Sequence, residues 1–472
     1  MRIVFASGES APFVKTGGLA DVVFGLGKAL VNKKHKVMVF VPFYKKVKEH
    51  KENFEWVDAF DVVQGWRRTH ANILHLLKDG VDFYFVECDQ YFLRDGVYGY
   101  NDDEERFCFF SLAVKKAIIH MNLRPDIVHV HDWQAALIPL MLADSGLKFR
   151  SMLTIHNPAF QGYINPAVLG DLTNLASWYY SSGLLRFNNM VSMLKGGITT
   201  CDVITTVSQT HAQELLSDKV SFNGIGNVIA SRQSDMFGIV NGLDVDEFDP
   251  SIDNLIPFKY DVNTYAEGKK ANKRALLERF GFKDVDSDAP VFGLVSRLTS
   301  QKGIDRVLRN VHNFVEKGAK LIILGQGEYD IEQGLEWASK QYPENIKIYL
   351  GYSNEISHMI YAGSDFFLMP SKFEPCGLGQ LIAMHYGTLP IVAKVGGLAD
   401  TVNSYFDSRE NATGFGFASW DENAFDYSIG YVVDMYRANK LTPLIKHAMK
   451  EDFTWNRRVN EYISLYKTIL KR

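Results

Sequence analysis

Lys15 stands directly before Thr16 and a pair of glycines in KTGGLADVV, Lys15 to Val23, and nearly the same letters return as KVGGLADTV, Lys394 to Val402. Gly17 and Gly18 follow a strand-like run and precede a helical one. Bare glycine N–H groups at a helix start, with Lys15 beside them, can face an anion; the plainer alternative is that paired glycines only turn the chain. In the second half, SRLTSQKG sets Arg297 and Lys302 just after the run VFGLV. A planar fork and a mobile point charge at a strand end suit a diphosphate, against the alternative of solvated surface cations. SKFEPCGLGQL then sets Glu374 in a Pro- and Gly-bounded loop before a helix. A carboxylate there can hydrogen-bond sugar hydroxyls or stabilise a developing glycosyl cation, while the N–H groups from Gly377 to Gly379 favour phosphate. Alternatively, it only complements a helix dipole.

Other constellations carry less chemistry. HVHDW puts His129 and His131 on one face of a strand, but no matching ligand set lies nearby in sequence, and paired strand histidines are the better account. The pairs Asp244/Asp246, Asp284/Asp286 and Asp286/Asp288 resemble Mg²⁺ ligands only in spacing and sit in carboxylate-rich loop sequence. LGQG, with Gly325 and Gly327, lacks the third glycine of a dinucleotide fingerprint.

The elements that must position these residues alternate in type. RIVFA, a helical stretch through LADVVFGLGKALVNKK, and KVMVFVPF form a βαβ unit, and DIVHVHD, SMLTIHN and VITTVS are further strands of the same half. The pattern restarts with PVFGLVSR, AKLIILGQG, NIKIYLG, DFFLMPS and LPIVAKVGG, each followed by a turn signal and a helical segment. Two doubly wound α/β domains are the simplest account, with the seam near Gly238 to Pro257. In such sheets ligands lie beyond the carboxyl ends of the strands, where Lys15, Arg297, Lys302 and Glu374 fall. The final TWNRRVNEYISLYKTILKR reads as an amphipathic helix.

The chain has 472 residues, enough for more than one core. With 46% hydrophobic and 22% charged residues and a formal charge of -4, it gives no global reason to expect nucleic acid as a partner. The basic runs VNKKHKV and FYKKVKEHK read as solvated helix ends and loops. Cys88, Cys108, Cys201 and Cys376 form no C-x-x-C pair, which fits a reducing compartment. The start MRIVFAS has too short an apolar run for a signal peptide, and no stretch approaches the ~18 apolar residues that span a bilayer. A soluble, cytoplasmic protein is expected.

KTGGLADV, HDW, TIHN…QG, LKGGI, TTVS, GIVNGLD, SRLTSQKG and FEPCGLGQL…YGTLPIV…GGLADTV occur in the order that resembles bacterial glycogen synthases and plant starch synthases, across essentially the whole chain. The resemblance implies a retaining glycosyltransferase of the GT-B type, with two Rossmann-like domains facing a deep cleft. Residues 1–240 would form the acceptor-side domain, 241–454 the nucleotide-sugar domain, and 455–472 a helix crossing back to the first. It implies transfer of glucose from ADP-glucose to the non-reducing end of an α-1,4-glucan, with no metal and no cofactor; a homo-oligomer is left open.

By resemblance, Lys15 and the Gly18 amide contact the donor's phosphates or sugar, and Arg297 and Lys302 hold its diphosphate. His156 matches the catalytic histidine near the sugar 6-hydroxyl and reaction centre and Glu374 the essential carboxylate by the glucose ring, with Cys376 and Gly377 lining the same pocket. Tyr352 matches the aromatic that stacks on the base and Asn241 the asparagine at the cleft, while Asp132 and Trp133 are similar to acceptor-side residues. Cations divided between two domains imply that the cleft closes to become competent.

Two positions depart from the family pattern: Gly379 stands where a threonine is common, and Ile382 where the related E-x7-E transferases carry a second glutamate. The second departure favours the starch and glycogen synthase branch. A glucan phosphorylase would need a pyridoxal phosphate lysine in its own motif, which is not found. A transferase with a small acceptor, or a nucleotide-sugar sensor without turnover, would share the two-domain plan.

Overall fold

The computed structural model describes residues 1–49, 53–147, 149–217, 224–419 and 421–472. The last two residues of FYKKVKEHK therefore lie outside the described residues. The chain divides into two compact units, Met1–Gly242 with Trp455–Arg472, and Leu243–Thr454.

The first unit is built on a nine-stranded sheet. Its strands are β1 (Arg2–Ala6), β2 (Lys36–Pro42), β3 (Glu55–Gln64), β4 (Arg67–Lys78), β5 (Val81–Glu87), β6 (Ile127–His131), β7 (Arg150–Ile155), β11 (Val203–Thr206) and β12 (Met236–Gly238), in the order β12-β11-β7-β6-β1-β2-β5-β4-β3. The short strands β8 (Tyr163–Ile164), β9 (Arg186–Phe187) and β10 (Met190–Ser192) form a separate antiparallel sheet ordered β8-β10-β9. Every pair in the large sheet is parallel except β3 with β4 and β4 with β5.

Ile3 to Ala6, Ile127, Val128 and Val130 are fully buried, as strands covered on both faces require. The β3–β4 hairpin, β5, β12 and the small sheet of β8 to β10 are additions to the strands expected from the sequence. In β4, Arg67, Thr69, Ala71 and Ile73 are each less exposed than the Arg68, His70 and Asn72 between them, the period-2 signal of a sheet half open to water.

The second unit is an all-parallel sheet of β13 (Val291–Val295), β14 (Lys320–Gly325), β15 (Ile346–Leu350), β16 (Phe366–Met369), β17 (Leu389–Ala393) and β18 (Phe415–Phe417), ordered β15-β14-β13-β16-β17-β18. Both sheets reverse their winding once. The reversal lies between β1 and β6 in the first and between β13 and β16 in the second, and such switch points open a crevice at the strands' carboxyl ends.

The helix Trp455–Lys471 belongs to the first unit. Val459, Tyr462, Tyr466 and Ile469 are its buried stripe, and Trp455 fills the space left by Gly25 of the helix Gly18–Asn32 and by Gly242. Among the described residues, no helix is long and apolar enough to cross a membrane. Part of each basic run is paired: Lys36 with Asp82, Lys45 with Asp95, and Lys48 with Glu87 and Asp89.

Candidate active site

At the first switch point, the loop after β1 carries Glu9 and Lys15, the short helix Asp132–Ala135 directly after β6 carries Asp132 and Trp133, and the loop after β7 carries His156. Gly17 caps the helix Gly18–Asn32 with no side-chain bond, so the helix starts with its first N–H groups at an exposed turn. Lys15 Nζ lies 2.8 Å from Asp21 Oδ1 in that first turn. Behind the turn, the buried Glu9 accepts the Thr16 N–H at 2.6 Å, tying down the residue between Lys15 and the glycines. Burial pushes the Glu9 carboxyl up to about 7, although the Thr16 bonds work against the shift.

Asp132 is buried at φ +54°, a conformation that aspartate tolerates better than most residues. Its Oδ1 accepts the N–H groups of His156 at 2.6 Å and Asn157 at 3.3 Å. Burial raises its carboxyl to about 7, and the Glu9 carboxyl adds to the rise. Trp133 meets Phe107 edge to face at 4.9 Å. His156 Nε2 is 3.1 Å from His131 Nδ1, and His131 stacks on His129 at 4.3 Å. His129 in turn bonds Tyr466 Oη and Thr154 Oγ1, each at 2.7 Å. Burial holds His129 and His156 down to about 3 and His131 well below its ordinary value, so all three rings are neutral near pH 7. Among the described residues no group of three or more His, Cys, Asp or Glu could hold a metal ion. His129 and His131 are a strand pair bonded into the core.

At the second switch point, the loop after β13 supplies the cations and the loop after β16 the carboxylate. Lys302 Nζ meets Glu374 Oε1 at 2.8 Å and Oε2 at 2.7 Å, and Ser371 Oγ donates to Oε2 at 3.0 Å. Glu374 is only 5% exposed. Gly303 makes this approach of loops feasible: it sits at φ +73°, and a Cβ there would lie 2.0 Å from the Pro370 carbonyl oxygen. The Lys372 N–H donates to Gln301 O at 2.9 Å and closes the seam. Arg297 is exposed, and its guanidinium has no partner among the described residues. Tyr352, after edge strand β15, is 71% exposed.

The predicted residues thus gather in two groups. In the first unit, Lys15, Gly18, Asp132, Trp133 and His156 stand at the carboxyl ends of β1, β6 and β7. Asn241, after β12, is buried with an Oδ1 that has no hydrogen-bond partner among the described residues. In the second, Arg297, Lys302, Glu374, Cys376 and Gly377 stand at β13 and β16, with Tyr352 at β15. Cys376 is buried, and Gly377 adopts φ +75°. A Cβ at Gly379 would lie 2.9 Å from the Phe367 ring, so a larger side chain there would need that ring to shift. Ile382 is buried in the second core.

Glu9, Ser371 and the role of His131 carry no sequence signal of their own. Glu9 lies in a loop, away from any periodic run, and braces a residue further along that loop. Ser371 has nothing to mark it beyond lying three residues before Glu374. Asp244 and Asp286 are accounted for locally: Asp244 Oδ1 accepts the Asp246 N–H at 3.0 Å, and Asp286 pairs with Arg274 at 3.2 Å.

Known proteins share this arrangement. Residues 2–231 match the starch synthase catalytic domain, and residues 278–457 match glycosyl transferases group 1. A glycogen synthase of Anoxybacillus flavithermus is 38% identical over 478 residues, covering 100% of this chain and 98% of that protein. One of Streptococcus equi subsp. equi is 39% identical over 479 residues and covers 100% of both. The solved catalytic domain of starch synthase IV from Arabidopsis thaliana, bound to ADP and acarbose, superposes with a TM-score of 0.91 at 31% identity, covering 100% of this chain and 99% of that one. With two GT-B-type α/β units, and with full-length likeness to these enzymes, the chain belongs to the glycogen synthase family of glycosyltransferases.

Proposed function

We propose that the protein transfers glucose from ADP-glucose to the non-reducing end of an α-1,4-glucan with retention of configuration, releasing ADP, in the cytoplasm. The observation that carries the reading is the Lys302–Glu374 pair at a switch point, with the open Arg297 guanidinium on the same strand end. Cleaving a glucose–phosphate bond leaves an oxocarbenium-like sugar and a nucleoside diphosphate. Arg297 and Lys302 are the cations for the leaving group, Glu374 is the carboxylate for the sugar, and Tyr352 is the open aromatic face for the base. Lys15 and the Gly18 N–H are further donors for the phosphates or sugar, and Asn241, Cys376 and Gly377 line the donor site. Asp132 and Trp133 serve the acceptor. The cations are the protein's own side chains, so the chemistry asks for no metal and no cofactor.

Retention is reached in this reading by same-face attack, with the departing phosphate taking the acceptor proton. Both Glu374 oxygens are already bonded, by Lys302 and Ser371, which supports a stabilising carboxylate over a free nucleophile. A glucosyl adduct trapped on Glu374 by mass spectrometry would overturn this step. The function is tested by measuring nucleoside diphosphate release from ADP-glucose and UDP-glucose, each with and without glycogen. ADP release that needs both ADP-glucose and glycogen is expected. Binding of ADP-glucose with no release, or release that needs a small acceptor in place of glycogen, would refute it.

A further inference from the structure

The hydrogen-bonding groups around His156 determine more than its position. A neutral imidazole has one N–H donor and one bare acceptor nitrogen. His131 and His156 share one bond at 3.1 Å, from His131 Nδ1 to His156 Nε2, so only one of the two nitrogens carries a proton in it. His131 is fully buried, stacked on His129 and edged by Phe5 at 5.2 Å, and its Nε2 is enclosed with no hydrogen-bond partner among the described residues.

Two proton placements are possible. If His156 donated, His131 would accept at Nδ1 and carry its own proton on Nε2, leaving an orphaned N–H in the core. If His131 donates, only an unfilled lone pair is left at its Nε2. Orphaned buried N–H groups are the rarer of the two in folded proteins, so the second placement is preferred. His156 then accepts at Nε2 and must carry its proton on Nδ1. That nitrogen makes no bond among the described residues and is not enclosed, since the ring is only half-buried. Asp132 fixes the same residue from the other side through the His156 N–H.

We propose that His131 locks His156 as the Nδ1–H tautomer, so that His156 meets its ligand as a hydrogen-bond donor and not as a base. His131 is therefore a positioning residue. The functional side of this proposal rests on the transferase reading above, and the tautomer itself does not.

Histidine-selective ¹⁵N labelling of the full chain, read by long-range proton–nitrogen correlation, reports each ring's tautomer, with His156 identified by the signal lost in His156→Gln. A protonated Nδ1 and a bare Nε2 on His156 are expected, and a protonated Nε2 would overturn the proposal. In turnover, His131→Asn can place an amide N–H where Nδ1–H stood and should keep activity within about threefold, whereas His131→Leu should lose about tenfold in kcat with KM for the nucleotide sugar little changed. Equal losses in the two variants would also overturn it. Should His131→Leu fail to fold, the spectrum of the unaltered chain and the His131→Asn rate still decide. If the unaltered chain transfers no glucose at all, the transferase reading fails and the spectrum alone judges the tautomer.

Discussion

A Cβ added at Gly17 would meet no heavy atom within 4 Å, whereas one added at Gly396 would lie 2.0 Å from the Glu374 carbonyl oxygen and one at Gly397 2.4 Å from Cys376 Cα. The two stretches carry the same GGLAD letters, each opening a helix after a parallel strand. In the first copy the glycines are exposed and the helix runs 15 residues, Gly18–Asn32. In the second the helix is six residues, Gly396–Thr401, and the Gly397 N–H donates to the carbonyls of Glu374 and Pro375, each at 3.1 Å. The first double glycine leaves N–H groups open to a ligand, and the second is a brace under the loop that holds Glu374. Their lysines differ in place and not in pairing: Lys15 is held by Asp21 at 2.8 Å at the open turn, and Lys394 by Asp407 at 2.5 Å beside the brace. Identical sequence therefore reports a shared strand-to-helix turn, and burial decides what the glycines are for.

The sharpest way to break this comparison is to add the missing methyl. Gly396 sits at φ +43°, so Gly396→Ala combines left-handed strain of about 1–2 kcal/mol with a backbone clash of about 1–3 kcal/mol or more, and shifts the Glu374 loop. Chemical denaturation should show a loss of about 2–5 kcal/mol from these two terms, with turnover falling alongside. Gly17→Ala should stay within about 0.5 kcal/mol in stability, and equal destabilisation of the two variants would remove the distinction.

Next come the cations. Lys15→Ala and Arg297→Ala should each lose about 2–4 kcal/mol in kcat/KM, seen in kcat when initial rates are measured across ADP-glucose concentrations. A change confined to KM would assign them uniform binding instead.

The protonation of the first region offers a third test. Glu9 and Asp132 both have folded pKa values raised to about 7, above their unfolded values near 4. The folded protein thus holds protons that the unfolded chain has released, and stability falls as pH rises from about 4 through 7, by on the order of 3–4 kcal/mol for each group. Glu9→Gln and Asp132→Asn should flatten that slope in denaturation measured from pH 4 to 8. An unchanged slope would show that neither carboxyl titrates there. The smallest effect belongs to Lys394→Ala, an exposed pair, at below about 1 kcal/mol in stability with kcat near that of the unaltered chain. A kcat loss matching that of Lys15→Ala would make the two copies equivalent after all.

Legibility in the sequence followed burial. β1, β2, β6, β7, β11 and β13 to β17 are short apolar runs ending in turn residues, because a parallel strand covered on both faces has no polar position to blur the pattern. β3 and β4 are harder to read: their apolar residues alternate with Arg, His, Asp and Glu, and helix and strand periods compete in such a stretch. Lys15, Arg297, Lys302 and Glu374 were legible because each follows a strand directly or sits in a glycine-bounded loop. Glu9, Ser371 and His131 were not, since each acts on a neighbour chosen by folding: Thr16 across a loop, Glu374 across a turn, and His156 across two strands.

By itself the sequence determined the strand-end positions of the charged residues and the family pattern running through the whole chain, since both are carried by residue type and order. Only the tertiary structure decided that Lys302 and Glu374, 72 residues apart, form one ion pair, because the winding reversal places β13 beside β16. It also decided which double glycine is open and which is a brace. That depends on how closely another backbone approaches, and no local sequence encodes the distance to a loop earlier in the chain.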